Sequence, residues 1–271
     1  MALTAATSIE TAASTTINGA LTLSGTATFD AGISGAGAVT VSGGTTTFNS
    51  STSVAPALTL NGGTITIPSG VTVSASSFTQ SGGVLTGAGT LSVTGSGGWS
   101  GGNMSGTGKT AGATLTKNTT SGQTTFNITF THSGTANVST GTLALGGTAT
   151  LNAGVGGAGT LSVTSGGATT LNSGAGLTVP FSLAGGTVTI PTGVTVAAAN
   201  YTQSGGTLTG GGTLSLTGTG TWINGTMSGA GKTSVASSAT LTVSSANAHI
   251  LDTRTLENGG TINWTGSGNI V

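Results

Sequence analysis

Cysteine and charge are what this sequence most lacks. It has no cysteine, and its 271 residues include four Lys or Arg and four Asp or Glu, so the formal net charge is zero. Without cysteine there is no disulfide bond, no thiolate metal ligand and no cysteine nucleophile. Four basic residues cannot neutralise a phosphate backbone, so we expect no nucleic-acid partner. Solubility must then rest on hydroxyl and amide groups.

Long apolar runs are missing as well. No window approaches the roughly 18 apolar residues that a membrane-spanning helix needs, so we expect no membrane insertion. Met1 is followed by neither a basic region nor an apolar core, and we therefore expect no signal peptide in this sequence. If the parent protein is secreted, its leader is expected to lie upstream or to have been removed. No segment has the apolar spacing that is typical of a helix.

What the sequence contains instead is a long internal repeat. Residues 81–110 (SGGVLTGAGTLSVTGSGGWSGGNMSGTGKT) return as residues 204–233 (SGGTLTGGGTLSLTGTGTWINGTMSGAGKT), an offset of 123 residues. Residues 21–41 match residues 143–163 at an offset of 122 residues, and a one-residue insertion near Ser165 accounts for the difference. A repeat of this length predicts an array of stacked structural units rather than one globule. The expected domains are an N-terminal cap or expression remnant (1–16), repeat 1 with an irregular bridge (17–140), and repeat 2 with the start of a further repeat (141–271).

A shorter period of about 19–20 residues runs inside each long repeat. Short alternating segments such as TITI at 64–67 are separated by turns rich in Gly, Ser, Asn and Pro. Alternation places Ile65 and Ile67 on one side of the strand and the threonines on the other. Three short strands fit in each period, for example 58–60, 64–67 and 71–73. The sequence therefore predicts an all-β parallel β-helix (β-solenoid) that is three-sided and, from the general bias of parallel connections, right-handed.

Threonine pairs recur on the second strand of successive coils. They are Thr26/Thr28, Thr45/Thr47, Thr64/Thr66, Thr148/Thr150, Thr187/Thr189 and Thr207/Thr209. Stacked strands would arrange them as a ladder of hydroxyl and methyl groups with about 4.8 Å between rungs. Such a ladder resembles the ice-binding face of β-solenoid antifreeze proteins, which implies binding to a regular surface such as ice or a glycan. Against this, Val84 and Ala168 interrupt the pairs, and threonine also occupies outward positions on the other strands.

Two glycine-rich motifs resemble known ligand-binding loops. SGTGKT at 105–110 and SGAGKT at 228–233 are similar to phosphate loops, but Asn103 and Thr226 stand where that motif requires glycine. An alternating strand pattern follows each of them, where a phosphate loop opens a helix. Segments such as GGAGTLSV lack the aspartates of calcium-binding nonapeptide repeats. We therefore predict neither a cofactor nor a metal ion.

One group of residues could support catalysis. Asp252 and Glu257 lie near His249 and Arg254 in the unduplicated C-terminal segment, and polysaccharide-cleaving β-helices need paired carboxylates or a carboxylate with a base. A solvated, charge-paired terminal coil is the simpler interpretation. We expect no catalytic residue and no enzyme, with a polysaccharide-depolymerising or phage-fibre β-helix as the third alternative.

Large side chains also repeat in register. The pairs are Trp99 with Trp222, Met104 with Met227, and Phe78 with Tyr201. We expect them to fill the core or its corners. The functional alternative is sugar stacking on an exposed tryptophan.

Residues 17–271 resemble the β-strand-repeat regions of large bacterial surface proteins of the filamentous-haemagglutinin and autotransporter-passenger type. The signatures that carry the resemblance are GTLSVTG, WSGGNMSGTG and LENGGTINWTGSGNI. It implies a structural or adhesive module, secreted or on the cell surface, without catalysis of its own. Because the charge is low even for such proteins, we also consider self-association, either end to end or with further repeats of the same chain.

Overall fold

The computed structural model describes residues 2–3, 9–106, 109–117 and 121–271. The chain divides into two compact units, Met1–Gly134 and Thr135–Val271, here called the first and second unit. The described residues contain strands and turns and no helix. They make about 13 turns of parallel strands stacked coil on coil. The predicted all-β parallel β-solenoid is thus confirmed.

The strands are short, and most span two to four residues. In the first unit they are β1 (Ala2–Leu3), β2 (Ile9–Thr11), β3 (Thr15–Thr16), β4 (Ala20–Leu23), β5 (Ala27–Phe29), β6 (Ile33–Ser34), β7 (Ala38–Val41), β8 (Thr45–Phe48), β9 (Thr52–Val54), β10 (Ala57–Leu60), β11 (Thr64–Ile67), β12 (Thr72–Gln80), β13 (Val84–Gly87), β14 (Thr90–Trp99), β15 (Asn103–Met104), β16 (Lys109–Lys117) and β17 (Gln123–Phe126). β18 (Thr129–Val138) contains the boundary between the units. In the second unit they are β19 (Thr142–Leu145), β20 (Thr148–Leu151), β21 (Val155–Gly156), β22 (Thr160–Val163), β23 (Ala168–Leu171), β24 (Phe181–Leu183), β25 (Thr187–Thr189), β26 (Thr195–Gln203), β27 (Thr207–Thr209), β28 (Thr213–Trp222), β29 (Thr226–Ser228), β30 (Lys232–Val235), β31 (Thr240–Val243), β32 (Ile250–Asp252), β33 (Thr255–Asn258) and β34 (Thr261–Trp264).

Three parallel ladders run through the first unit, and each turn of the chain adds a strand, or one half of a long strand, to each ladder. The first ladder joins β1, β4, β7, β10 and the second half of β12. The second joins β2, β5, β8, β11, β13, β15 and β17. The third joins β3, β6, β9 and the first half of β12. Along the first ladder Leu21 pairs with Val39 and Val39 with Leu58, spacings that agree with the predicted coil length.

The second unit has the same three ladders. Its first ladder joins β19, β22, β24, the second halves of β26 and β28, β31 and β34. The second joins β20, β23, β25, β27, β29 and β32. The third joins the end of β18, β21, an isolated bridge at Leu177, the first halves of β26 and β28, β30 and β33.

Some turns differ from the predicted three separate strands. The predicted strand at 71–73 is part of the longer strand β12, which belongs to the third ladder at its start and to the first ladder at its end. Its pairing with β14 shifts register between Ala75 and Ser77, and β26 shifts between Ala198 and Asn200. An unpaired residue bends a strand at a bulge. Here it lets one strand pass a corner of the solenoid without a separate turn.

The core lies along the inward positions of the strands. Ile65 and Ile67 are 1% and 3% exposed, and their copies Val188 and Ile190 are fully buried. Thr64 and Thr66 on the same strand are partly exposed. The predicted inward and outward positions of this strand are therefore confirmed, and each turn buries its apolar side chains against the turns beside it.

Stacked glycines form the corner between the first and second ladders. Gly63 and Gly83 have φ values of 66° and 68°, in the left-handed region that favours glycine. A Cβ on Gly63 would lie 2.5 Å from the carbonyl carbon of Gly43, one coil below. Only glycine therefore fits a corner in which the backbones of successive coils are in direct contact.

Candidate functional site

The second ladder of each unit carries threonines at outward strand positions. We call the first threonine of each Thr-x-Thr pair the leading position and the second the trailing position; stacked over successive coils they form a leading and a trailing column. The trailing column consists of Thr28, Thr47, Thr66 and Thr86 in the first unit and of Thr150, Thr170, Thr189 and Thr209 in the second. All eight are partly exposed. Each unit thus has an unbroken column of four threonines in register.

The leading column is interrupted in both units. Thr45 pairs with Thr64, which pairs with Val84, and Thr26 lies just before β5, outside the strand. In the second unit the order is Thr148, Ala168, Thr187, Thr207 and Thr226. Val84 and Ala168 therefore interrupt only the leading column. The trailing column has a threonine on both of these strands.

Three threonines of these columns were missed by the sequence analysis. Thr86, Thr170 and Thr226 are not part of a Thr-x-Thr pair, which is the pattern that predicts the columns. The period of two continues through VLT at 84–86 and ATT at 168–170 and was the signal that could have located the first two. In the second segment Thr169 faces inward and is 1% exposed, so a run of threonines alone does not show which one is on the surface.

These columns offer a surface of repeated, uncharged groups. Each threonine presents a hydroxyl that can donate and accept a hydrogen bond, beside a methyl group. The Ser105 hydroxyl donates to the Thr86 hydroxyl at 3.5 Å, which continues the polar row of the first unit by one coil. Ladder pairing holds the rungs at a regular spacing of about 4.8 Å. The columns thus present regularly spaced hydrogen-bonding groups without any charged or reactive group.

The predicted corner at the second phosphate-loop-like motif is present. β30 begins at Lys232, immediately after the turn, so a strand follows the glycines instead of a helix. The Lys232 ammonium lies 3.0 Å from the Glu257 carboxylate, and both side chains are about half exposed. In the first copy of the motif, residues 107–108 lie outside the described residues.

Arg254 is a structural residue of the C-terminal turns. It is 4% exposed, and its guanidinium donates to the Thr233 hydroxyl at 3.0 Å and to the Lys232 carbonyl at 2.8 Å. Further donations reach the carbonyls of Gly210, Ser228 and Gly212 at 3.2 to 3.3 Å. Burial lowers the pKa of Arg254 from its ordinary value. Its donors are thus used to join three successive turns of backbone.

The other residues of the possible catalytic group are also engaged locally or exposed. His249 is fully buried, its ring meets Trp222 edge-on at 4.9 Å, and its Nε2 lies 3.1 Å from the Trp222 carbonyl. The hydrogen bond from Lys232 holds the pKa of the Glu257 carboxyl below its ordinary value. Asp252 is exposed. The structure therefore gives the arginine and histidine packing roles and pairs the glutamate with a lysine.

The repeated large side chains fill the core, as predicted. Trp99, Trp222, Met104, Met227, Phe78 and Tyr201 are each at most 2% exposed. Trp264 differs, being 49% exposed although it pairs with the buried Val243 on the last strand of the first ladder.

A buried polar pair distinguishes the two repeats. The Tyr201 hydroxyl donates to Oε1 of Gln203 at 2.9 Å, and Nε2 of Gln203 donates to the Thr226 carbonyl at 3.0 Å. In the first unit Phe78 replaces the tyrosine, and the buried Oε1 of Gln80 has no hydrogen-bond partner. The sequence shows the Phe/Tyr difference, but not that both glutamines face the core.

Comparison of the chain with models of protein families, with curated proteins and with solved structures finds no match. Within the described part of the chain there is no helix long and apolar enough to cross a bilayer. The same residues contain no cluster of three or more His, Asp or Glu that could hold a metal ion.

Proposed function

We propose that this chain is a non-catalytic structural module of a larger secreted or cell-surface protein. The observation that carries the proposal is that the inward columns are buried at turn after turn in each unit. In the first ladder of the second unit, Leu183, Gln203, Trp222 and Val243 are stacked in register and are all fully buried. Stacked turns of this kind build length from local contacts and need no reactive side chain.

The surface and the sequence resemblance support the same proposal. Outward positions carry hydroxyl and amide groups, and charged residues make up 3% of the chain. The repeat signatures resemble those of bacterial surface proteins, in which such modules serve as stalks or adhesins. Association end to end, or with further repeats of the same chain, belongs to this proposal.

Mechanical unfolding tests the structural function. The chain would be held at its two ends and extended in a single-molecule force experiment, beside the variant Ile65→Lys. A load-bearing module is expected to unfold in discrete steps, and the variant to begin at lower force because it buries an unpaired charge. Smooth extension of the unmodified chain at low force would contradict the proposal.

A second candidate function is binding to a regular surface such as ice or a crystalline glycan. The unbroken trailing columns favour it, because they are longer and more regular than the Thr-x-Thr pairs alone. Thermal hysteresis and ice shaping by the unmodified chain, by Thr47→Tyr and by Thr189→Tyr test this candidate.

A further inference from the structure

A groove lies on the third ladder of the second unit. Its volume is about 570 Å³, within the range of about 300–1,000 Å³ that is usual for small-molecule sites. Its lining includes Thr135 and Asn137 on β18, Gly154 and Gly156 around β21, and Gly176 and Thr178 on either side of the Leu177 bridge. Neither the structural module nor the threonine columns use this surface.

Three glycines form the groove, and backbone geometry does not require them. Gly154, Gly156 and Gly176 do not have φ in the left-handed region. A Cβ on Gly176 would meet nothing within 4 Å, and one on Gly156 would meet only the Thr178 hydroxyl, at 3.1 Å. Gly157 is different, with φ of 117° and a Cβ position 2.2 Å from the Val138 carbonyl oxygen. The fold thus explains Gly157, whereas Gly176 leaves open space where a side chain would fit. Gly154 is closer packed, since a Cβ there would lie 3.1 Å from the Gly176 carbonyl oxygen.

The lining of the groove is uncharged. Thr135, Asn137 and Thr178 are exposed and supply hydroxyl and amide groups that both donate and accept hydrogen bonds. Val155 and Ala136 beneath them are buried, so the floor is apolar and consists largely of glycine backbone. No lining residue is ionisable. This combination fits a neutral ligand that has hydroxyl groups on its rim and C–H groups on its faces.

A peptide that adds as a further strand does not fit here. Strand addition needs a free edge of backbone N–H and C=O groups. In the groove, the amide of Val155 donates to the Gly176 carbonyl at 3.0 Å, and the amide of Thr178 donates to the Val155 carbonyl at 3.1 Å. The amide of Leu177 donates to the Ala197 carbonyl at 2.8 Å. Since the ladder already uses these groups, recognition must come from the side chains and the glycine surface.

We infer that this groove binds a short neutral oligosaccharide. Sugar hydroxyls would exchange hydrogen bonds with Thr135, Asn137 and Thr178, and the C–H face of a sugar ring would lie on Gly154, Gly156 and Gly176. The inference goes beyond the proposed structural function, since a structural module needs no ligand site. If the groove binds no oligosaccharide, the proposed structural function is therefore unaffected, and the reverse also holds.

The experiment uses the full chain and saturation-transfer NMR with cellotetraose, maltotetraose, xylotetraose and N-acetyl-chitotetraose. At least one should give signal, with a dissociation constant of about 1 mM. Gly176→Leu fills the groove and should weaken binding at least tenfold. Gly19→Leu is the matched control, because a Cβ there also meets nothing within 4 Å but lies outside the groove; it should bind as the unmodified chain does.

Two further variants with smaller changes test the inference if Gly176→Leu folds poorly. Thr178→Val removes one rim hydroxyl and should weaken binding several-fold, whereas Thr195→Val, an exposed threonine of the same ladder outside the groove, should not. Absence of signal from all four sugars would overturn the inference. So would equal binding by the unmodified chain, Gly176→Leu and Thr178→Val, or tighter binding of tetragalacturonate, whose carboxylates the lining cannot pair.

Discussion

One hydroxyl group separates Phe78 from Tyr201, and the difference should be measurable as stability. Phe78→Tyr supplies a donor to the unpaired Oε1 of Gln80 and is expected to raise the free energy of unfolding by about 1 kcal/mol. Tyr201→Phe removes the donor to Gln203 and should lower it by about 1–2 kcal/mol, because a buried acceptor is left unpaired. Urea unfolding of both variants is the measurement.

The two substitutions act as controls for each other, since each converts one repeat into the other at this position. We expect the free energy of unfolding to rise in Phe78→Tyr and to fall in Tyr201→Phe. If Phe78→Tyr destabilises as much as Tyr201→Phe, then the first unit does not hold its glutamine in the geometry seen in the second.

Ionisation of Tyr201 gives a second test at the same position. Burial raises the pKa of Tyr201 above its ordinary value of 10.0, so the folded chain keeps a proton that the unfolded chain releases. Its contribution to stability is therefore complete below pH 10 and is lost as the pH rises above it, by about 1.4 kcal/mol per pH unit. Because this is the chain's one tyrosine, tyrosinate absorbance reports on it directly.

The expected titration has absorbance and circular dichroism changing together, well above pH 10. Tyr201→Phe should show a weaker dependence of stability on alkaline pH. A tyrosinate transition near pH 10 with an unchanged dichroism signal would mean that the side chain reaches solvent in the folded state.

At the scale of strands, alternation of side chains predicted the ladders well. The strand Thr64–Ile67 is where TITI placed it, because Ile65 and Ile67 have one face to bury and the turn glycines on each side end the strand. The long strand Thr72–Gln80 was not predicted, because a bulge at a corner depends on how neighbouring coils stack. The role of Arg254 could not be predicted either, since its partners are carbonyls of turns more than 20 residues away.

Arg254 should hold the C-terminal strands to the turns below them. Arg254→Leu leaves several carbonyls without their donor and is expected to cost about 3 kcal/mol, most of it in this region. Hydrogen exchange should become faster in β32, β33 and β34 and stay unchanged in β4 to β11, because each turn contacts only its neighbours. Arg254→Lys should restore little, since one ammonium cannot reach the partners on both preceding turns.

Glu257→Gln is the matched control for the arginine variants. It breaks the exposed pair with Lys232 and should leave the exchange rates of β32 to β34 as they are. Equal effects of Arg254→Leu and Glu257→Gln would assign the anchoring to surface charge rather than to the buried guanidinium.

For the molecule as a whole, the two candidate functions make different demands on the trailing columns. A structural module needs the ladders and their core, whereas an ice binder needs a flat face whose rungs match a lattice. Thr47 and Thr189 lie inside the unbroken columns of the first and second unit. Tyrosine at either position would project from that face, while strand stability should change little, since aromatics are well accommodated at outward strand positions.

Thermal hysteresis and ice shaping at micromolar protein separate the two functions. If the chain is a structural module, the unmodified protein should show neither effect, and Thr47→Tyr and Thr189→Tyr should unfold within about 0.5 kcal/mol of it. If the chain binds ice, hysteresis should be present and largely lost in both variants. It should persist in Thr59→Tyr, a matched change on the first ladder, because that face need not contact the lattice. Hysteresis lost in the first two variants and retained in the third would replace the structural function with ice binding.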